Sequence, residues 1–365
     1  MLRVLVLGGY GNFGSCIAKA LASDERIRLI IAGHNVAKAH AFADGLGATN
    51  GAEAVAIDIA DPARAMAVCN PDLVIHTVGP FQGQDYRVAE AAIACGAHYC
   101  DLADARAFVC GIGALDGAAK AVGLAVIAGA SSVPCLTAAF LDQATKVFAS
   151  IERVDYGITA AHQTNRGLGT ASAILSYVGR PFTMLRGGRM ERVYGWQGLH
   201  SETYPELGHR WFGNCDIPDL DLFPGRYPGL KDMRFCAGHE IAPLHFGTWL
   251  LSWGVRLRLL PRLDRWSQPL LRASFVFDRW GQGRSGFHMR IEGKDRDGAP
   301  LTRRHWIVAR SGDGPNIPCM PAILIARRLA AGDAIESGAR PCLDLISLDE
   351  YLGALKGLDV AVLSE

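Results

Sequence analysis

The sequence predicts an α/β protein, with a doubly wound parallel sheet in its first part and a second, mixed α+β domain after it. Three observations carry this reading. Up to about residue 150, short β-branched runs alternate with Ala-rich helical stretches. A glycine-rich turn, Gly8–Gly14, stands between the first run and the first helical stretch. All seven tryptophans lie from Trp196 onward, so the chain changes character partway.

The elements follow in order. Expected strands are Arg3–Leu7, Arg28–Ala32, Ala54–Asp58, Leu73–Val78, His98–Leu102 and Ala125–Ala128. Expected helices are Phe13–Ala22, Val36–Gly45, Pro62–Cys69, Asp85–Cys95, Ala114–Val122 and Leu136–Phe148. Six strands alternating with six helices imply a parallel, doubly wound sheet. In the second part Arg153–Ala160 reads as a strand, and Gly169–Val178 as a helix opened by Thr170. Phe287, Met289 and Ile291 alternate with His288, Arg290 and Glu292, the period of a half-buried strand. The Asp-Gly of "DRDGAP" then turns the chain into a second strand, Thr302–Arg310. "IPCMPAILIARRLAAG" reads as a helix closed by Gly332 that packs back on the first domain. The expected division is 1–148, 149–318 and a returning segment 319–365.

Composition bounds the function. The chain has 365 residues, half of them hydrophobic, so core material is plentiful. A net charge of +1 supplies no field toward nucleic acid, and no arginine-rich, aromatic-interleaved stretch suggests one. There is no secretory leader pattern and no run of spanning length. The ten cysteines stand singly, without CxxC spacing, and read as reduced thiols of a cytoplasmic protein.

The glycine turn carries the chemistry. Gly9-x-Gly11-x-x-Gly14 follows a buried strand and opens a helix, the context that a dinucleotide-binding, Rossmann-type fingerprint requires. Gly8 extends it to G-x-x-G-x-x-G, so Gly8, Gly9, Tyr10, Gly11, Asn12, Phe13 and Gly14 are the expected cofactor cradle. Free N–H groups at the helix start would meet the pyrophosphate. At the tip of the second strand, where an acid would bind the ribose of NAD, the sequence reads "IIAGHNVAK". His34, Asn35 and Lys38 are instead suited to a 2′-phosphate, which favours NADP over NAD. Asp58 ends the third strand, either beside the adenine or in a surface turn. Val78, Gly79, Pro80 and Phe81 follow the fourth strand, where the nicotinamide end is expected.

Asp101 and Asp104 stand just past the fifth strand, at the rim where a substrate should lie. Either is a candidate to exchange a proton or to hold a substrate ammonium; the alternative is that one caps the next helix. Ser131 and Ser132, past the sixth strand, suit a carboxamide, a carboxylate or a turn. No metal site is expected, because His239 and His245 are six residues apart and no HExxH is present. No G-x-S-x-G elbow offers a nucleophile. Residues 245–260 are apolar at Phe246, Trp249, Leu250, Trp253, Leu257 and Leu260, followed by arginines. Such a helix either lies on a membrane or buries its aromatic face in a core or subunit interface. The second is the expectation, with Trp249 and Trp253 as anchors of a homodimer.

The stretches "VLVLGGYGNFG", "IIAGHN", "TVGPFQ", "GAHYCDLADAR" and "IAGASSVPCLTAAFLD" resemble the saccharopine dehydrogenase-like NAD(P)-binding family. The resemblance is dense over residues 1–145 and looser through "RGLGTASAILSYVGRP", "VYGW" and "RIEGKDRDGAP…RRHW". It implies a Rossmann domain, an inserted α+β domain carrying the substrate pocket and often a dimer interface, and a nicotinamide cofactor. It further implies hydride transfer involving an imine, an amino acid or an enoyl double bond. Two positions depart from the family: His34 where an arginine is common, and Val133-Pro134-Cys135 where the saccharopine reductases resemble "DPG". The expected function is thus an NADP-dependent oxidoreductase of this type. The alternative is a non-catalytic NADP-binding scaffold that docks on a membrane or partner.

Overall fold

The computed structural model describes residues 1–163 and 167–365, so Arg166 of the looser family stretch lies outside the described residues. The chain opens with β1 (Leu2–Leu7), α1 (Asn12–Leu21), β2 (Ile27–Gly33), α2 (Val36–Gly45), β3 (Ala52–Ala56) and α3 (Ala63–Cys69). It continues with β4 (Leu73–His76), α4 (Arg87–Ala94), β5 (His98–Asp101), α5 (Arg106–Gly111), α6 (Asp116–Ala121), β6 (Ala125–Ala128) and α7 (Thr137–Ala144). Then come β7 (Phe148–Ala160), α8 (Leu168–Tyr177), β8 (Pro181–Arg186), β9 (Arg189–Tyr194), β10 (His200–Tyr204), β11 (Gly208–Asn214), α9 (Asp219–Arg226) and β12 (Asp232–His239). The remainder is α10 (Ala242–Arg256), α11 (Ser267–Ser274), β13 (Ser285–Asp295), β14 (Pro300–Ala309), α12 (Met320–Ala331), β15 (Gly338–Pro341), α13 (Leu348–Ala354) and β16 (Val360–Ser364).

Two compact units result. The first comprises residues 1–139 and 315–354, the second 140–314 and 355–365. In the first, the strand order is β15-β6-β5-β4-β1-β2-β3, all parallel. Val4–Leu7 of β1 are fully buried, because both faces of a central parallel strand are covered by helices. Each such side chain contributes roughly 1.5–3 kcal/mol by leaving water. From β1 the chain winds outward to β2 and β3, then returns through α3 to β4 on the other side of β1. The topological switch point therefore lies between β1 and β4, and ligands of such sheets bind outside the strand carboxyl ends there.

The sheet has a seventh strand, β15, beyond the six that the alternation predicts; Pro341 is tolerated because β15 is an edge. The helix expected over Leu136–Phe148 ends at Ala144, and Phe148 already begins β7. α12 ends on Gly332 in the left-handed conformation (φ 84°) and packs on α1 and β1 within the first unit. The last strand does not go with it: β16 pairs with β14 in the second unit.

The second unit is built on a mixed sheet, β10-β11-β12-β7-β13-β14-β16, in which only β7 and β12 run parallel. Phe287, Met289 and Ile291 are buried as the alternation requires, but so is His288, whose Nδ1 meets the Tyr204 hydroxyl at 2.8 Å. The β13–β14 turn is held by the Asp295 carboxylate, which accepts the Asp297 and Ala299 N–H groups at 2.9 Å each. Of the two places expected for the aromatic face of α10, a core or a subunit interface, the core of its own chain is not the one it occupies. The buried side chains of α10 are His245, Thr248 and Ser252, whereas Phe246 and Leu250 are exposed and Trp249 and Trp253 only half-buried. The aromatic face is not core, because the surface it would need is occupied by the polar stripe of the same helix. Among the described residues no helix is long and apolar enough to cross a membrane.

Candidate functional site

The site grows from the end of β1. Gly8 adopts a left-handed conformation (φ 78°) and its N–H bonds the Ala32 carbonyl of β2 at 2.8 Å. The chain reverses, and the Gly11 N–H closes the turn on the Gly8 carbonyl at 2.7 Å. Gly14 lies against that same carbonyl: a Cβ there would stand 2.1 Å from the Gly8 oxygen. So α1 can start this close to β1 only with glycine at 14. No side chain caps α1 and no acid stands in its first turn, so its leading amides and positive dipole end are open to an anion. The turn Gly8–Gly14, including Tyr10, Asn12 and Phe13, is thus a cradle shaped for a phosphate group, and its residues fit a dinucleotide.

The tip of β2 adjoins it. The Asn35 N–H donates to the Tyr10 hydroxyl at 3.0 Å, which ties the glycine turn to the start of α2. The Asn35 side chain caps α2 by accepting the Lys38 N–H at 3.0 Å. His34 and Lys38 are exposed beside it. Asp58 is exposed past β3 and accepts the Ala60 N–H at 2.9 Å. With Val55, Ala56, Arg64 and Val68 it lines an open cavity of about 320 Å³.

On the other side of the switch point, Val78–Phe81 form the loop after β4. Gln84 braces it, donating from Nε2 to the Val78 carbonyl at 2.9 Å and the Pro80 carbonyl at 2.7 Å. Gly79–Pro80 is a cis peptide. Phe81 is buried edge-on against His76, with ring centroids 4.9 Å apart, and against Phe108 at 5.3 Å. His76 itself is buried, its Nδ1 3.1 Å from the Tyr99 hydroxyl, and burial depresses its pKa to about 3, so the ring is neutral. Residue reading missed His76 and Tyr99. The signal available was a histidine inside the apolar run "LVIH".

The two rim acids differ. Asp101 is fully buried; its Oδ1 accepts the Ala103 N–H at 2.9 Å and the Gly129 N–H at 2.8 Å, tying the loop after β5 to the loop after β6. Among the described residues its Oδ2 has no hydrogen-bond partner. Burial raises its pKa to about 6, opposed by the Gly129 and Ala103 amides and by Tyr99. Asp104 is half-buried and accepts from the Gln82 side chain at 3.2 Å. The N-cap of α5 is Ala105, without a side-chain cap. Ser131 and Ser132 are buried in the loop after β6.

Asp101→Asn tests this burial by pH. Asparagine keeps an oxygen for the two amides but cannot ionise. The carboxyl titrates near 3.8 when unfolded and near 6 when folded. Below about pH 3 both states hold the proton and wild type carries no penalty. As pH rises through 6 the folded state must bear a buried charge. Wild type should therefore lose about 3 kcal/mol relative to Asp101→Asn between pH 3 and 7. Chemical denaturation at the two pH values measures it, and a constant difference would rule out the shifted titration.

In the second unit Asp155, Cys236 and His288 bring ligand atoms within 4.8 Å of one another. Each is otherwise committed: Asp155 pairs with Arg234, the Cys236 thiol donates to the Tyr156 carbonyl at 3.1 Å, and His288 meets Tyr204. A guanidinium on the carboxylate opposes a cation there. His239 and His245 lie on different elements, both packed on Trp196, with ring centroids 6.3 Å apart. All ten cysteines are free thiols.

Residues 4–148 match the family described as the saccharopine dehydrogenase NADP binding domain. No curated protein matches the sequence. Among solved structures, the chain is similar to saccharopine dehydrogenase (L-Glu forming) from Saccharomyces cerevisiae, with a TM-score of 0.69 at 13% identity over 100% of both chains. It is also similar to the amine dehydrogenase of Mycobacterium smegmatis, with a TM-score of 0.49 at 13% identity over 96% of this chain and 95% of that one. The likeness to the yeast enzyme is one of fold.

Proposed function

We propose, from a first domain of the saccharopine dehydrogenase-like NADP-binding family, that the protein is an NADP-dependent oxidoreductase. It moves hydride to or from the carbon of an imine or amino acid, or of a related carbonyl or enoyl group. The observation that carries this reading is the uncapped glycine cradle at the switch point of the parallel sheet, with the loops after β4, β5 and β6 beside it. Bound NADPH supplies the hydride. The chain's residues bind and orient. The Gly8–Gly14 turn receives the pyrophosphate. His34, Lys38 and the leading amides of α2 receive the 2′-phosphate, since no acid stands at that tip. Asp58 borders the adenosine. Val78–Phe81, held by Gln84 and by the packing of Phe81 on His76, form the wall of the nicotinamide end. Asp104 exchanges the proton that accompanies hydride movement, and Asp101 positions the loop on which Asp104 stands.

A cofactor-consumption screen tests this. The purified protein is mixed with NADPH or NADH and a panel of imines, keto acids with amines, and enones. NADPH is expected to bind at least about tenfold more tightly than NADH, and to be consumed with at least one imine-forming pair. Equal affinities, or a preference for NADH, would overturn the assignment of the β2 tip. Tight NADPH binding without turnover across the panel would favour a non-catalytic, cofactor-holding scaffold. The exposed apolar side of α10 gives that second reading its support.

A further inference from the structure

The second unit leaves an apolar, cationic surface uncovered by its own fold. The stripe that α10 buries, His245, Thr248 and Ser252, is its polar one, while Phe246 and Leu250 face outward. Past Arg256 the helix stops, with Arg258 in the left-handed conformation (φ 59°). Leu257, Leu259 and Leu260 follow, with 60%, 76% and 38% of their surface exposed. Trp266, Phe275, Val276 and Trp280 are exposed a little further on. These segments are neighbours: Leu251 and Val255 of α10, Leu263, and Leu270 of α11 share one cluster with Trp196. Leucine is ordinary on a surface when single; a run of three beside four large apolar side chains is not.

The charge of the same segment is one-sided. Residues 242–280 contain six arginines, two aspartates, no lysine and no glutamate, in a chain whose net charge is only +1. Arg262 is paired with Asp264, and Arg256 lies over the Tyr194 and Trp253 rings. Arg258, Arg265 and Arg272 are exposed and make no ion pair among the described residues. Four of the seven tryptophans fall in this stretch. Leucine, tryptophan and arginine exposed together are the composition of an interfacial surface: apolar groups enter the acyl boundary, tryptophan sits at headgroup level, and arginine pairs with lipid phosphate.

We propose that this surface, centred on Leu257–Leu260 and Arg258, Arg265 and Arg272, docks the protein on an anionic phospholipid bilayer without crossing it. A second copy of the chain fits less well. A two-fold interface sets a patch against itself, and here that would oppose unpaired arginines to arginines.

Vesicle co-sedimentation of the whole protein tests this. Mixed phosphatidylglycerol–phosphatidylcholine vesicles are expected to bind wild type at least about tenfold more tightly than phosphatidylcholine alone, with the advantage falling as salt rises. Arg258→Gln with Arg265→Gln should weaken binding to the anionic vesicles about 25-fold, roughly fivefold for each arginine. Leu257→Ser with Leu259→Ser should weaken it at least about tenfold. NADPH titration and far-UV circular dichroism should match wild type in both double variants, since all four side chains are exposed. If one variant misfolds, the other still decides. Equal binding to the two vesicle types, or none to either, overturns the proposal. So does a wild-type dimer in light scattering that Leu257→Ser with Leu259→Ser splits into monomers, because the occupant is then a second copy.

Discussion

Gly11→Val is expected to abolish NADPH binding, by at least about 100-fold, while the first unit stays folded. The two halves of this result rest on different atoms. Gly11 is the N-cap of α1 with φ −80° and ψ −176°, extended backbone that any residue adopts. A Cβ built on it meets nothing closer than the Gly8 carbonyl oxygen at 3.0 Å, a contact relieved by a few tenths of an ångström. The fold therefore tolerates a Cβ at 11 far better than at 14. The cofactor does not tolerate one there: the isopropyl group would stand over the uncapped amides of α1, where the pyrophosphate must come within hydrogen-bond distance. Gly14→Val is the control with the opposite outcome. Its Cβ would lie 2.1 Å from the Gly8 oxygen and 2.8 Å from the Gly9 Cα, so α1 could not pack and the protein should misfold. Fluorescence titration with NADPH, alongside a thermal melt, separates the cases. A Gly11→Val protein that binds NADPH as wild type does would show that the turn is structural only.

That contrast also marks what was legible in the sequence. Gly8–Gly14 could be read because three constraints coincide there: a buried apolar strand, a turn with positive φ, and a helix start without a cap. The alternation of Val, Ile and Leu runs with Ala-rich stretches likewise placed β1 to β6, since parallel strands covered on both faces are apolar throughout. β15 was not legible. It is four residues long, begins with a glycine at φ 124° and ends in proline, and its partner β6 is distant in sequence. The end of α7 was misplaced because "QATKVF" has no glycine or proline stop; Thr145 and Val147 are β-branched, and the chain is already turning into β7. The second sheet was the least legible. β12 alternates Met233, Phe235 and Ala237, but its parallel pairing with β7 depends on partners about 80 residues apart.

Within the site, residue type was more legible than residue role. Asp101 and Asp104 could be placed past β5 by counting, but nothing in "HYCDLADA" says that one carboxylate is sealed and the other is not. The difference arises from Gly129, which approaches from the loop after β6 and offers its N–H to Asp101. Similarly, the exposed side of α10 has the periodicity of a buried one. Only the packing of His245 beside Trp196 shows which side the fold covers.

The separation of the two acids leads to the second large effect. Asp104→Asn is expected to lower kcat/KM by about 10²- to 10⁴-fold on whichever imine or amino acid the screen identifies, the usual scale for a lost proton-exchanging group. NADPH affinity and melting temperature should stay at wild-type values, because α5 is capped at Ala105 and takes no side-chain cap. Asparagine can still accept the Gln82 amide, so that contact is kept while the ionisable proton is lost. Asp104→Glu gives a readout that a structural role would not move: it should restore part of the turnover that Asp104→Asn loses. Asp101→Asn should behave in the complementary way, with turnover near wild type at pH 7 and the altered dependence of stability on pH described above. If Asp104→Asn and Asp101→Asn both turn over like wild type, then no carboxylate at this rim exchanges the proton. The neutral His76–Tyr99 pair behind Phe81, and buried Ser131 and Ser132, would then be the polar groups left to examine.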